Sequence, residues 1–203
     1  MPFHLYAGLS GRLMTTILKA TRFTGAQRLA VLKRLVKRLR HAWPETVLIV
    51  RGDSHFASPE VMQWIDEQPE LRSGTGLTSN AVLQALAREV VEQAKRASTY
   101  SGHKGTRFHS TRYQAGTWSR SRRVVLKVEV SDQGVNTRFV VTDLEQARTK
   151  VLYQKISCAR GQAENESKDH TLYVQSDRTS CHCFKANQLR VFLHAAAYVL
   201  LET

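Results

Sequence analysis

Residues 46–56, TVLIVRGDSHF, decide how this chain folds. Val47, Leu48, Ile49 and Val50 form an unbroken, mostly β-branched apolar run after Pro44. Such a run predicts a strand buried on both faces, as in the parallel core of an α/β sheet. Arg51-Gly52-Asp53 ends it. Gly52 permits a sharp turn, and Asp53 then emerges at the strand's carboxyl end, where open α/β sheets keep their ligands. Ser58-Pro59-Glu60 reads as an N-cap with proline at the first helical position, opening a helix towards Trp64 and Ile65. A carboxylate between a buried strand and a helix can hold a metal ion or merely cap its loop. The stretch itself leaves both open.

Upstream, residues 1–9 and 13–18 read as two short strands joined by a turn at Ser10-Gly11. Over residues 26–42, Leu29, Leu32, Val36 and Leu39 recur at offsets of three, four and three, one face of a helix. Lys33, Arg34, Lys37, Arg38 and Arg40 take the rest, either as a solvated outer face or as a DNA contact. Downstream, residues 74–77 suggest a short strand whose Gly-x-Gly is too sparse for a phosphate loop. Asn80 caps a long helix with Leu83, Leu86, Val90 and Val91 inward. Residues 124–130 and 137–141 read as strands turning at Gln133-Gly134, an antiparallel insert at the sheet's edge. Phe108, Tyr113 and Trp118, set among basic residues, could stack on bases or pack the insert. From Leu144 the chain turns helical through Ala147, Val151, Leu152 and Ile156. Arg160, Glu164 and Lys168 then share one helical face at i, i+4 spacing, which surface ion pairing alone would explain. The last element, residues 186–200, reads as a core helix on Leu189, Leu193, Ala196 and Leu200.

Composition narrows the partners. The 203 residues carry a formal charge of +13, and 42% are hydrophobic, enough for a domain with a real core. No acid precedes Glu45, although nine Lys and Arg do, from Arg12 to Arg40. A second acid-free window lies between Glu92 and Glu129. Two such blocks favour a polyanion, most simply nucleic acid. Neither carries the Trp/Phe face that a membrane surface would engage. The three cysteines, Cys158, Cys181 and Cys183, have no disulfide-scaffold spacing and suit a reducing interior. With no signal peptide and no spanning apolar run, a cytoplasmic location is expected.

Residues 48–56, 160–168 and Asp177-Arg178-Thr179-Ser180-Cys181-His182 together resemble a bacterial insertion-sequence transposase of the DDE class. Trp43-Pro44, Thr78-Ser79-Asn80 and Ala186-Asn187-Gln188 extend the likeness over essentially the whole chain. The nearest branch carries a β-rich insertion before its last acidic residue. The resemblance implies an α/β, RNase H-like core presenting two Asp and one Glu to a pair of Mg²⁺ or Mn²⁺ ions. It matches Asp53 to the second Asp and Glu164 to the Glu, as catalytic and metal-binding residues. Arg160 matches an arginine that contacts DNA phosphate, with Lys168 and Arg178 as further DNA contacts. The implied organisation is a first part of the core over 1–99, a β-rich insertion over 100–143, and a helical part carrying the Glu over 144–203. The implied partner is double-stranded DNA at transposon ends. The resemblance also allows a homodimer on DNA, and implies a nucleoid-associated place in a bacterial cytoplasm.

The departures carry equal weight. The family's first Asp belongs on an opening strand for which this chain shows no counterpart, since only Glu45 is acidic before Asp53. Ser157 stands where the family has Tyr, and Thr171 where it has Lys. The expectation is therefore an incomplete core, the carboxyl-terminal part of a transposase, that binds duplex without cutting it. A non-catalytic DNA-binding or regulatory remnant is the alternative. A zinc module on Cys181-His182-Cys183 with Cys158 or His170 is a third.

Overall fold

The structure, a computed structural model, describes residues 2–19 and 23–202, and over 157–164 the backbone alone. In chain order it runs β1 (Pro2–Tyr6), β2 (Leu13–Leu18), α1 (Gly25–Ala42), β3 (Leu48–Gly52), a 3-10 turn (Ser54–Phe56), α2 (Pro59–Asp66), β4 (Leu71–Leu77) and α3 (Ala81–Ser101). Then follow β5 (Gly105–Tyr113), β6 (Arg122–Ser131), β7 (Gly134–Thr142), α4 (Thr149–Val174) and α5 (Phe184–Leu201). The chain divides into two compact units, Gly25–Ser157 and Met1–Thr24 with Cys158–Thr203.

The unit Gly25–Ser157 is built on a five-stranded mixed sheet in the order β3-β4-β7-β6-β5. β3 and β4 are parallel and joined through α2, whereas β5, β6 and β7 form an antiparallel meander that extends the sheet from β4. The β6–β7 hairpin turns at Gly134 (φ 108°), as the two strand patterns predict. Val124, Leu126 and Val128 of β6 are fully buried in one cluster with Leu83, Ala87, Val90 and Ala94 of α3. Val125 belongs to another, with Val140 and with Leu152, Tyr153 and Ile156 of α4. A central strand covered on both faces accounts for the continuous apolar run, and each fully buried side chain contributes about 1.5–3 kcal/mol.

The same reasoning misplaces β3. Its run is as apolar as that of β6, yet β3 is an edge strand, and Val47 and Ile49 are 51% and 49% exposed. Apolar content does not distinguish a central strand from an edge whose outer side is open.

Two further expectations are corrected, and one open alternative is decided. On α3, Leu86 faces solvent and Ala87 and Ala94 face the sheet. The small residues let the helix lie close, since a Cβ on Gly105 of β5 would overlap the carbonyl oxygen of Ala94. Residues 144–148 are not helical; Leu144 and Ala147 pack against the α4-side cluster from a loop, and α4 starts at Thr149. Phe108, Tyr113 and Trp118 are packing residues. Tyr113 meets Trp118 edge-on at 5.3 Å, Phe108 meets Tyr153 at 5.6 Å, and the Tyr113 hydroxyl accepts from Asn80 at 2.9 Å.

In the other unit β1 and β2 form an antiparallel pair, as the sequence predicts, and β2 packs against α5. α5 is turned differently from expectation: Leu189, Leu193 and Leu200 are 59%, 60% and 78% exposed, while Asn187, Val191 and Tyr198 are buried. Polar anchors set this rotation. Asn187 accepts from the Cys181 N–H at 3.0 Å and donates to its carbonyl at 2.6 Å, and Gln188 Oε1 accepts from Leu18 N–H at 2.7 Å. His170 of α4 is fully buried, its ring 4.2 Å from that of His4 and 4.6 Å from that of Tyr198.

Candidate active site

Asp53 follows the last residue of β3 with an extended backbone (φ −77°, ψ −173°) and caps the turn Ser54–Phe56. Its Oδ1 accepts the His55 N–H at 3.0 Å, and its carbonyl accepts the Phe56 N–H at 3.1 Å. The turn is tight because Phe56, itself buried, folds back over Gly52. A Cβ there would stand 2.6 Å from the Phe56 ring, so only glycine fits. Ser58 then precedes α2 with proline at the first helical position, although its hydroxyl makes no capping bond. Arg51, the other polar residue of the motif, donates to the Lys155 carbonyl at 3.2 Å and ties β3 to the start of α4. Asp53 is thus a partly buried carboxylate at the carboxyl end of a parallel strand. Its Oδ2 has no hydrogen-bond partner among the described residues.

That oxygen suits a hard divalent cation, which prefers carboxylate and water ligands. One carboxylate supplies part of a ligand set, and among the described residues no three His, Cys, Asp or Glu side chains converge to hold a metal. Glu164 and Arg160, like Ser157 and Cys158, lie outside the described side chains. Lys168 lies exposed on α4, and Arg178 lies exposed in the α4–α5 loop. His170 packs between His4 and Tyr198, and Cys181 and Cys183 are free thiols, so no zinc cluster forms among the described residues. His55 is exposed and engages Asp53 through its backbone only.

Nothing in the local sequence marks Asp143, one residue beyond β7. Its carboxylate accepts the Ser73 N–H at 2.7 Å while Thr142 Oγ1 donates to the Ser73 carbonyl at 2.7 Å, closing the β4–β7 ladder. Burial pushes the Asp143 pKa up against the bond from Ser73. Its contacts are those of a ladder end.

The basic windows have different fates. In the second, Lys104 and Lys127 pair with Glu129, Arg112 with Glu145, Lys95 with Glu92, and Arg120 and Arg122 with Asp66. Arg123 donates to the carbonyls of Leu144 (2.6 Å) and Glu145 (2.9 Å). This window is therefore largely paired within its own unit, several of the pairs at the surface.

Among known families, the model described as Transposase DDE domain group 1 matches residues 1–203. The chain belongs to the DDE transposase family. Its mixed α/β architecture is that of an RNase H-like transposase core, and the family's substrate is DNA. No curated protein matches the chain. Among the described residues no helix is long and apolar enough to cross a membrane.

Proposed function

We propose that this chain carries the catalytic-domain machinery of a bacterial insertion-sequence DDE transposase, and that its 203 residues alone bind duplex DNA without cleaving it. The observation that carries the reading is Asp53, set on a tight turn at the carboxyl end of β3 in a chain matched throughout by the family. Asp53 and Glu164 are the metal-binding carboxylates, and Arg160, Lys168 and Arg178 contact DNA. The partition into 1–99, 100–143 and 144–203, the homodimer on DNA and the nucleoid-associated location belong to the same proposal.

The reaction is phosphoryl transfer. Water attacks a phosphodiester and breaks its P–O3′ bond, leaving a 3′ hydroxyl. That hydroxyl then attacks a second phosphodiester, forming one ester as another breaks. Asp53 and Glu164, with a third carboxylate, would hold a pair of Mg²⁺ or Mn²⁺ ions, which would activate the attacking oxygen and stabilise the leaving one. The protein's share is to fix carboxylate oxygens at the scissile phosphate and to neutralise its flanking charge.

A third carboxylate, contributed from outside these residues on a strand added to the open edge of β3, would complete the site. The half-exposed Ile49 of β3, with Val47 just before that strand, supports this reading. The same edge favours the second reading, a non-catalytic DNA-binding remnant, wherever no such strand is supplied. A Mg²⁺- or Mn²⁺-dependent nicking assay on supercoiled plasmid tests the proposal. Binding without nicking is the expected result. Robust nicking abolished by Asp53→Ala would show the 203 residues to be a complete enzyme.

A further inference from the structure

We propose that the outer face of α1, carrying Arg34, Lys37, Arg38 and His41, is a seat for one phosphate strand of duplex DNA. The inference rests on the family reading above for its partner, and on α1 itself for its place. α1 contains no acid, and Arg34, Lys37, Arg38 and His41 fall at i, i+3, i+4 and i+7, one stripe opposite the buried Leu32 and Val36. All four are exposed, and none forms an ion pair or hydrogen bond among the described residues.

The neighbouring cations are otherwise engaged. Arg40 donates to the carbonyls of Pro44 (3.3 Å), Thr46 and Pro69 (2.8 Å), clamping the loop into β3. Lys33 sits 5.8 Å over the Trp64 ring. With most of the second basic window paired to Glu92, Glu129, Glu145 and Asp66, this stripe is an uncompensated cationic surface in the unit Gly25–Ser157.

Its dimensions fit the ligand. Seven residues at about 1.5 Å rise span about 10 Å, three phosphates of one strand at ~3.4 Å each along the duplex axis. α1 itself packs against α2 and against the turn that Asp53 caps, within the one unit. A strand held on α1 is held by a helix buttressing the Asp53 turn.

The test is the salt dependence of binding to a short random-sequence duplex by the full 203-residue chain. The triple variant Arg34→Gln/Lys37→Gln/Arg38→Gln should weaken binding about tenfold or more near 0.1 M salt, and should flatten the log–log salt slope by about 2.7, some 0.9 per phosphate contact. Arg34→Lys/Arg38→Lys, which keeps the charge, should retain the wild-type slope. A control with the same charge change, Arg88→Gln/Arg138→Gln/Lys150→Gln, removes exposed cations of three other elements in the same unit and should leave the slope within about 0.5 of wild type. Circular dichroism confirms that each variant is folded. A wild-type slope in the α1 variant, or an equal loss in the control, overturns the α1 seat and leaves the family function standing. A wild-type chain that binds no duplex defeats the DNA-binding reading itself, and the seat with it.

Discussion

Asp53 Oδ1 accepts the backbone N–H of His55 at 3.0 Å, so the carboxylate offered to a metal is also the cap of the turn behind it. The two roles separate by substitution. Asn caps as well as Asp, so Asp53→Asn should unfold in urea within about 0.5 kcal/mol of wild type while losing Mn²⁺ binding measured by calorimetry. Asp53→Ala should lose both, with stability lower by about 1 kcal/mol. Unchanged Mn²⁺ affinity in the Asn variant would remove Asp53 from the ligand set.

β4 and α4 touch where Gly74 faces Ile156. A Cβ on Gly74 would overlap Ile156 Cδ1, inside a cluster with Val125, Val140, Leu152 and Tyr153. Gly74→Ala should therefore destabilise by about 1–3 kcal/mol, the usual cost of overpacking a filled core. Ile156→Val deletes the overlapped methyl, so the double variant should recover part of that loss. Chemical denaturation of the four proteins gives the coupling directly, and strict additivity would show that the helix simply moves away.

Asp66 is clamped by two guanidinium groups. Arg122 donates at 3.0 and 2.6 Å and Arg120 at 3.1 and 2.7 Å, which locks α2 to the start of β6. Arg122 is only 5% exposed, so Asp66→Asn should cost about 3–5 kcal/mol by stranding a buried charge. Arg120 is half exposed, and Arg120→Gln should cost about 1 kcal/mol or less. Burial works against the Asp66 charge, but the bonds from Arg122 and Arg120 outweigh it and hold the pKa below its usual value. A lowered acid contributes stability above its unfolded pKa of about 3.9 and loses it as the pH falls through the folded value. Acid unfolding of Asp66→Asn should accordingly start from a lower plateau and fall less steeply below about pH 4.

The β1–β2 unit titrates in a different window. Burial, and then the neighbouring His170, lower the His4 pKa to about 4. Burial, and then His194, lower that of His170. A histidine held neutral in the fold stabilises fully above its unfolded pKa, about 6.5, and its contribution is lost as the pH falls through the folded value. Hydrogen exchange of residues 2–18 should thus speed up between about pH 6.5 and 4 once corrected for intrinsic rates. In His4→Gln that acceleration should be reduced, since His170 remains.

Much of this was legible residue by residue. The Asp53 turn, the Asn80 cap, the β6–β7 hairpin and the amphipathic phase of α1 rest on local chemistry, and each stands where its pattern places it. What escaped depends on partners distant in sequence. Val47–Val50 and β6 share one apolar signature, and only sheet order makes one an edge. The rotation of α5 follows from Asn187 and Gln188 finding backbone partners, against the pull of its leucines. The second basic window looked as free as the first until Asp66 met Arg122 and Glu129 met Lys104. The metal reading reaches as far as Asp53, because the side chains of Arg160 and Glu164 are not described.

On the side away from β4, β3 has no partner strand among the described residues. Its outward backbone groups, flanked by Val47 and Ile49, make a template for another chain's strand, and its one charged residue, Arg51, is turned to the Lys155 carbonyl. Mutual repulsion from a formal charge of +13 opposes such pairing. Screening shortens that repulsion to about 3 Å at 1 M salt, so the isolated polypeptide should self-associate and precipitate as ionic strength rises.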